Sequence, residues 1–347
     1  MKTDTLQQAE PGSLQRPDKL QWLEMSQIAA MFLIVLHHSI PNYTESAPWF
    51  MAIADEVHYA ALAVFFWASG YLVVYTDAIH KYGYGSFLKK NFIRLMVPYF
   101  CINLLMLIPK YAMGLVAGKA VPLNVFAVLY SFIDPRGSGI LPHLWFLPTL
   151  MMLAVIAPLI IQAKKNWMTM LGLIVVALIL RILPASLWTK FLCIDDLRSY
   201  FFFYALGIAL SGFDLRRFAQ NKNLEVILLM IGYVVSLLLF KQVGMVRFGS
   251  SILGFLFIFG LAFLLESQRK ILLLSVFGGM TFTIYLLSLP AQNFIEVIAD
   301  RLSWQWYFAS GAMYVTGFAV PMAIYTAVLW IDQKVRLTPV KKMIGIR

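Results

Sequence analysis

Three histidines and three cations stand where this chain can put them to chemical use. His37 and His38 close the apolar run Phe32-Leu33-Ile34-Val35-Leu36, and His143 opens another, Leu144-Trp145-Phe146-Leu147. An ionisable group within a membrane-crossing run is costly, so it turns to a bundle interior or a wet mouth and marks a site. Imidazole exchanges protons near neutral pH. Either histidine of the pair therefore suits proton transfer, and if the two runs are neighbours His38 and His143 share one depth. Consecutive helical residues point about 100° apart, so at most one of His37 and His38 is expected to face the core. The plainer alternative, wetted caps at headgroup level with Trp145 as an interfacial anchor, stays open.

Lys89, Lys90 and Arg94 crowd the start of a third run, on the opposite side from the histidines. They read either as ordinary topology anchors or as a clamp for the phosphates of an anionic cofactor. Between the two groups, Phe65-Phe66-Trp67-Ala68-Ser69-Gly70-Tyr71 puts Ser69 and Gly70 at mid-membrane, where small residues let helices approach closely. Glu24, Arg181, Glu56, His58, Asp195, Asp196 and Arg198 complete the polar inventory near the membrane boundaries, and the last five suit an outer mouth that meets a polar acceptor. Cys101 and Cys193 have no metal-ligand spacing and read as small apolar residues, so no metal is expected. No P-loop, dinucleotide fingerprint, G-x-S-x-G elbow or H-E-x-x-H is present.

The elements that must hold these residues are membrane helices. Of 347 residues, 61% are hydrophobic and 13% charged, with mean hydropathy +0.76, outside the range of soluble domains. The fold expected is all-α, a polytopic bundle of about ten transmembrane helices near 22–41, 57–76, 94–116, 144–162, 167–183, 200–212, 224–240, 246–265, 271–290 and 305–331. With the N-terminus inside, 19 of the 28 Lys and Arg residues fall on inside segments, which predicts both termini in the cytoplasm. The same distribution explains the net charge of +11 without nucleic acid as a partner. Residues 1–21 read as a cytoplasmic N-terminal tail, 22–332 as one membrane domain and 333–347 as a cytoplasmic C-terminal tail. The first run leads to His37, His38 and Pro41 with no small-residue cleavage site, and reads as an uncleaved helix. The longest loops, about 117–143 and 184–199, face outside.

Four of these stretches, with a fifth at Phe282 to Leu287, together resemble the acyltransferase 3 family of ten-helix membrane enzymes. Its first helix reads W-x-D-x-x-R with a His eleven positions after the Arg, and Trp22, Glu24, Gln27 and His38 fall on those places without a gap. Phe65 to Leu72 is similar to its F-F-x-x-S-G-[FY]-L helix, and Phe87 to Leu95 to its basic R-x-x-R-[LI] segment, with Asn91 at the first Arg. His143-Leu144-Trp145-Phe146-Leu147 matches its W-[FY]-L element, and Phe282 to Leu287 its Y-L-x-H segment, with Ser288 where many members have His.

The resemblance implies transfer of an acyl group, acetyl by default, from cytoplasmic acyl-CoA to a sugar hydroxyl of an exported or cell-surface polysaccharide. The enzyme would sit in the inner (plasma) membrane, with a glycan acceptor, membrane lipid and polysaccharide-assembly proteins as partners. His38, His143, Ser69 and Glu24 would form the catalytic set, and Lys89, Lys90, Arg94 and Gln27 would hold acetyl-CoA. Gln27 can hydrogen-bond but cannot pair with a carboxylate or phosphate as Arg does. Two rivals remain: a transporter or flippase for a lipid-linked solute, and an assembly or sensor subunit without catalysis.

Overall fold

In hydrocarbon every backbone amide must be satisfied within its own segment, so the apolar runs have little choice but to become helices. The computed structural model describes residues 20–41, 47–116, 124–138, 140–184, 187–213, 215, 223–239, 244–267 and 276–346, and among these it contains helices and no strand. In chain order the helices are α1 (Gln21–His38), α2 (Pro48–Tyr75), α3 (Ala78–Tyr82), α4 (Tyr84–Val116), α5 (Val125–Ile133), α6 (Pro135–Ser138), a 3₁₀ turn (Pro142–Trp145) that runs into α7 (Phe146–Lys164), and α8 (Trp167–Ile182). After a second 3₁₀ turn (Phe191–Cys193) come α9 (Ile194–Leu210), α10 (Asn223–Leu239), α11 (Gly244–Ser267), α12 (Thr281–Arg301), α13 (Trp306–Asp332) and α14 (Thr338–Met343).

Among the described residues, six helices are long and apolar enough to cross a membrane: α2, α4, the 3₁₀ turn with α7, α11, α12 and α13. The chain is therefore a multi-span membrane protein. The other four predicted runs fall on α1, α8, α9 and α10, which are shorter or less apolar. Several boundaries differ from expectation: α2 starts at Pro48 against 57, and α12 runs Thr281–Arg301 against 271–290. α4 starts ten residues early, at Tyr84, so Lys89, Lys90 and Arg94 lie inside the helix and not ahead of it; α9 starts at Ile194 because Asp195 and Arg198 pair across one turn (2.6 Å). Of the inside cations behind the topology prediction, Lys2, Arg16, Lys19, Arg216, Arg217, Lys222, Arg269, Lys270 and Arg347 lie outside the described residues.

α2 is the central helix, packed against α1, α7, α9 and α11. Its approach to α9 is set by glycine. A Cβ on Gly70 would stand 2.2 Å from the Tyr204 carbonyl oxygen, and one on Gly207 would stand 2.2 Å from that of Trp67, so the two backbones touch reciprocally. α1 lies antiparallel beside α2: Trp22 meets Trp67 and Tyr71 at one end (ring centroids 6.1 and 5.8 Å), and His38 meets His58 at the other (5.4 Å).

The segment 333–347, expected as a tail, packs back on the bundle. Asp332 accepts the Leu337 N–H (2.7 Å) and pairs with Lys341 (2.9 Å), which turns the chain so that α14 rests on α4. Ile344 and Ile346 are buried, and the Thr283 hydroxyl donates to the Ile344 carbonyl (3.2 Å). The apolar pair Ile344 and Ile346 drives this return, a signal present in the sequence and hidden there by the neighbouring lysines.

Candidate functional site: a cavity with a basic end and a histidine cluster beyond it

One face of α1 carries Leu20, Leu23, Glu24, Gln27, Met31 and Ile34, at steps of three and four residues, and all six line one cavity of about 690 Å³. At 1.5 Å rise per residue, Leu20 to Ile34 covers about 21 Å, most of a membrane's thickness. The opposite walls are Ser69 and its neighbours on α2, Lys90, Asn91 and Arg94 on α4, Phe146 and Leu150 on α7, and Phe282 and Tyr285 on α12. The next residue on that α1 face, four beyond Ile34, is His38.

The basic end gathers the expected cations incompletely. Lys90 and Arg94, four apart, line the cavity, while Lys89 is exposed and does not, because one helical step turns it about 100° away. The Lys90 ammonium sits 3.1 Å over the Tyr82 ring, another wall residue. Glu24 is here too, and its Oε1 accepts the backbone N–H of Gly279 (2.9 Å), a glycine with φ +78°. Glu24 is thus fourteen residues, about 21 Å of helix, from His38. It cannot touch a group that His38 touches, so the expected catalytic role of Glu24 gives way to shaping the cavity mouth.

Ser69 is displaced from the expected chemistry by the same geometry. Because α1 and α2 are antiparallel with His38 beside His58, eleven residues back along α1 bring Gln27 level with Ser69, eleven residues on along α2. These two uncharged polar side chains line the cavity together, about 16 Å of helix from the histidines. Ser69 belongs to a polar collar and not to the group around His38.

At the far end four histidines gather. His37 stacks on His58 (ring centroids 4.1 Å, interplanar 28°), His38 lies 4.8 Å from His37 and 5.4 Å from His58, and His143 stands 6.3 Å from His38. The expectation that only one of the adjacent pair turns inward fails, because α1 ends at His38 and both side chains lean from its last turn toward α2. His143 is held from below: the Tyr285 hydroxyl donates to its carbonyl at 2.6 Å, and Tyr285 also lines the cavity. α6, in the connection between α4 and α7, packs on the 3₁₀ turn that carries His143. Arg136 on α6 pairs with Asp196 (2.7 Å) and lies 4.2 Å over the Trp145 ring.

The other members of the polar inventory have structural uses. Glu56, 2% exposed, pairs with Arg247 (2.6 Å), and Arg198 donates to the carbonyls of Leu180, Arg181 and Leu183, closing the C-terminus of α8. Cys101 and Cys193 are free thiols. Sequence reading left His58 among the mouth residues; its signal was its place about ten residues into a helix packed antiparallel on α1.

The comparisons with known proteins give one result. A family model for an acyltransferase domain matches residues 20–327, most of the chain and every residue of the cavity except Gly345. Comparison with curated proteins and with solved structures found no match. On the family match, with the first-helix spacing from Trp22 to His38 intact, the chain belongs to the acyltransferase 3 family.

Proposed function

We propose that the chain is an O-acyltransferase that takes an acyl group, acetyl by default, from cytoplasmic acyl-CoA and places it on a sugar hydroxyl of an exported or cell-surface polysaccharide. It sits in the plasma membrane with ten crossings, both termini and the basic end in the cytoplasm. One observation carries the reading: a single cavity begins at Lys90 and Arg94, and its α1 wall continues one turn on to His38. That shape suits a donor with phosphates at one end, a long amide-bearing arm, and the reactive thioester at the other.

Lys90 and Arg94 bind the phosphates of CoA. The arm passes Gln27 and Ser69, whose neutral hydrogen-bonding groups match its amides, so the loss of Arg at position 27 costs a charge where the arm carries none. His38 takes the proton of the acceptor hydroxyl, whose oxygen attacks the thioester carbonyl carbon; the carbon–sulfur bond breaks and CoA leaves as the thiolate. His143 faces the oxyanion of that step. The acceptor enters from the histidine end, under Arg136 and the α5–α6 loop.

The test is acyl transfer from radiolabelled acetyl-CoA in membranes containing wild type, His38→Ala or Arg94→Ala at matched protein levels. Labelled glycan with wild type and none with His38→Ala is expected. Equal labelling by wild type and His38→Ala removes His38 as the base. Wild-type membranes that fail to label, yet move a polysaccharide precursor across vesicles, favour the transporter.

A further inference from the structure

The histidine cluster holds more imidazole than one proton transfer requires. His37, His38 and His58 each offer a ring nitrogen such that the three lie within 4.8 Å of one another. Tetrahedral zinc with nitrogen bonds near 2.0–2.1 Å needs about 3.3 Å between ligand atoms, so ring rotations alone would bring the three close to that spacing. Two further observations distinguish the cluster from packed aromatics. His58 Nδ1 is buried without a hydrogen-bond partner, a state that in a folded protein calls for an unseen water or ion. His37 Nδ1 lies 3.2 Å from Asp55 Oδ1 without the alignment of a hydrogen bond, close enough for a small ring rotation to make the carboxylate–imidazole pairing that orients metal-binding histidines. With its side chain 24% exposed, His37 also gives an ion a way in.

We propose that His37, His38 and His58 form a binding site for a borderline divalent transition metal of the zinc class, with Asp55 orienting His37. Neutral imidazole ligands with no thiolate and one open position suit Zn2+, Co2+ or Cu2+ over Mg2+ or Ca2+. The site has a consequence for catalysis, which rests on the function proposed above. A neutral imidazole has one nitrogen lone pair, and a metal bound there leaves nothing to accept the acceptor's proton. Metal binding and general-base action by His38 are therefore mutually exclusive, and the metal acts as a reversible inhibitor at the outer mouth.

The test uses the full-length protein in detergent, freed of any affinity tag and stripped with chelator. Co2+ is titrated and followed by its visible absorption, then displaced with Zn2+. One Co2+ per chain with a tetrahedral-type spectrum is expected. His58→Asn and His37→Asn weaken binding roughly tenfold or more, and Asp55→Asn weakens it roughly tenfold. His80→Ala leaves binding unchanged, since His80 is 70% exposed, pairs with Asp77 and lies next to the basic end. A thermal melt of each apo variant separates lost binding from lost folding. No saturable binding by wild type, or equal binding by folded His37→Asn, His58→Asn and wild type, overturns the site. In the transferase assay Zn2+ lowers wild-type turnover and chelator restores it; turnover that rises with Zn2+ overturns the exclusion. Failure of the acyltransferase reading itself leaves the Co2+ titration intact, so the two are separable.

Discussion

The contact between α2 and α9 makes the most direct prediction, because it concerns backbone and can be sized from coordinates. Gly70→Ala places a methyl 2.2 Å from the Tyr204 carbonyl oxygen and 3.0 Å from its carbon; Gly207→Ala places one 2.2 Å from the Trp67 oxygen and 2.9 Å from the Tyr71 nitrogen. Ordinary contact begins near 3.4 Å, so either substitution must part the helices by about 1 Å. A gap of that size forfeits a quarter to a half of each dispersion contact along the interface. Overpacking in a well-packed core costs about 1–3 kcal/mol, which corresponds to a fall in Tm of roughly 1–4 °C for a chain of this size. Once one methyl has parted the helices the second has room, so the double variant should lose clearly less than the sum of the two singles. The chain carries its own reporter. Cys193, 3% exposed just ahead of α9, reacts with a thiol-sensitive fluorophore only when that end of α9 opens. Gly172→Ala on α8 and Gly232→Ala on α10, where a Cβ meets nothing within 4 Å, are the controls and should melt no lower than wild type. If Gly70→Ala melts with the controls, or if the two losses add in full, the backbone contact is not the constraint argued here.

Three further outcomes follow from the site. If Lys90 and Arg94 hold acyl-CoA as proposed, Lys90→Ala and Arg94→Ala each remove a charge-assisted phosphate contact of about 1.5–3 kcal/mol, so KM for acyl-CoA should rise roughly 10- to 100-fold with little change in kcat, since the grip is the same in ground and transition states; steady-state kinetics showing a fall in kcat at unchanged KM would contradict this placement. Tyr285→Phe strips the hydroxyl from the His143 carbonyl and should cost about 1–3 kcal/mol in a thermal melt while lowering kcat more than it changes KM. Arg247→Met strands the Glu56 carboxylate, 2% exposed, at a cost of about 3–5 kcal/mol, and adding Glu56→Gln should recover most of it; a double variant no more stable than Arg247→Met alone would show that the pair is not the cause.

The helices and one side of the site were legible because both depend on local pattern. Apolar runs announced the spans, and steps of three and four residues put Glu24, Gln27 and His38 on one face of α1 before any neighbour was known. Whatever depended on a second helix was less legible. Ser69 carried the right chemistry for catalysis, but only the antiparallel register of α1 on α2 decides that it stands about 16 Å of helix from His38, whereas the roughly 21 Å from Glu24 follows from α1 alone. Lys89 and Lys90 look equivalent as a charge pair, and the turn of α4 separates them. The return of 333–347 onto the bundle could not be read beside Lys341 and Lys342, because two buried isoleucines say little until their groove exists.

That register also argues for a division of labour within the site. On α1, positions 24 and 27 lie in the same helical row as 38 yet about four and three turns away, so a substitution at the collar changes the cavity wall without moving the His38 imidazole. Gln27 in place of the family's Arg is such a change: it alters the electrostatics at the level of Ser69 and leaves the cluster of His37, His38, His58 and His143 to its own contacts. The two ends are joined structurally by Tyr285, which lines the cavity with its ring and holds His143 with its hydroxyl. On the function proposed above, departures from the family pattern at the collar bear on which donor is held, and departures at Tyr285 bear on how His143 is held.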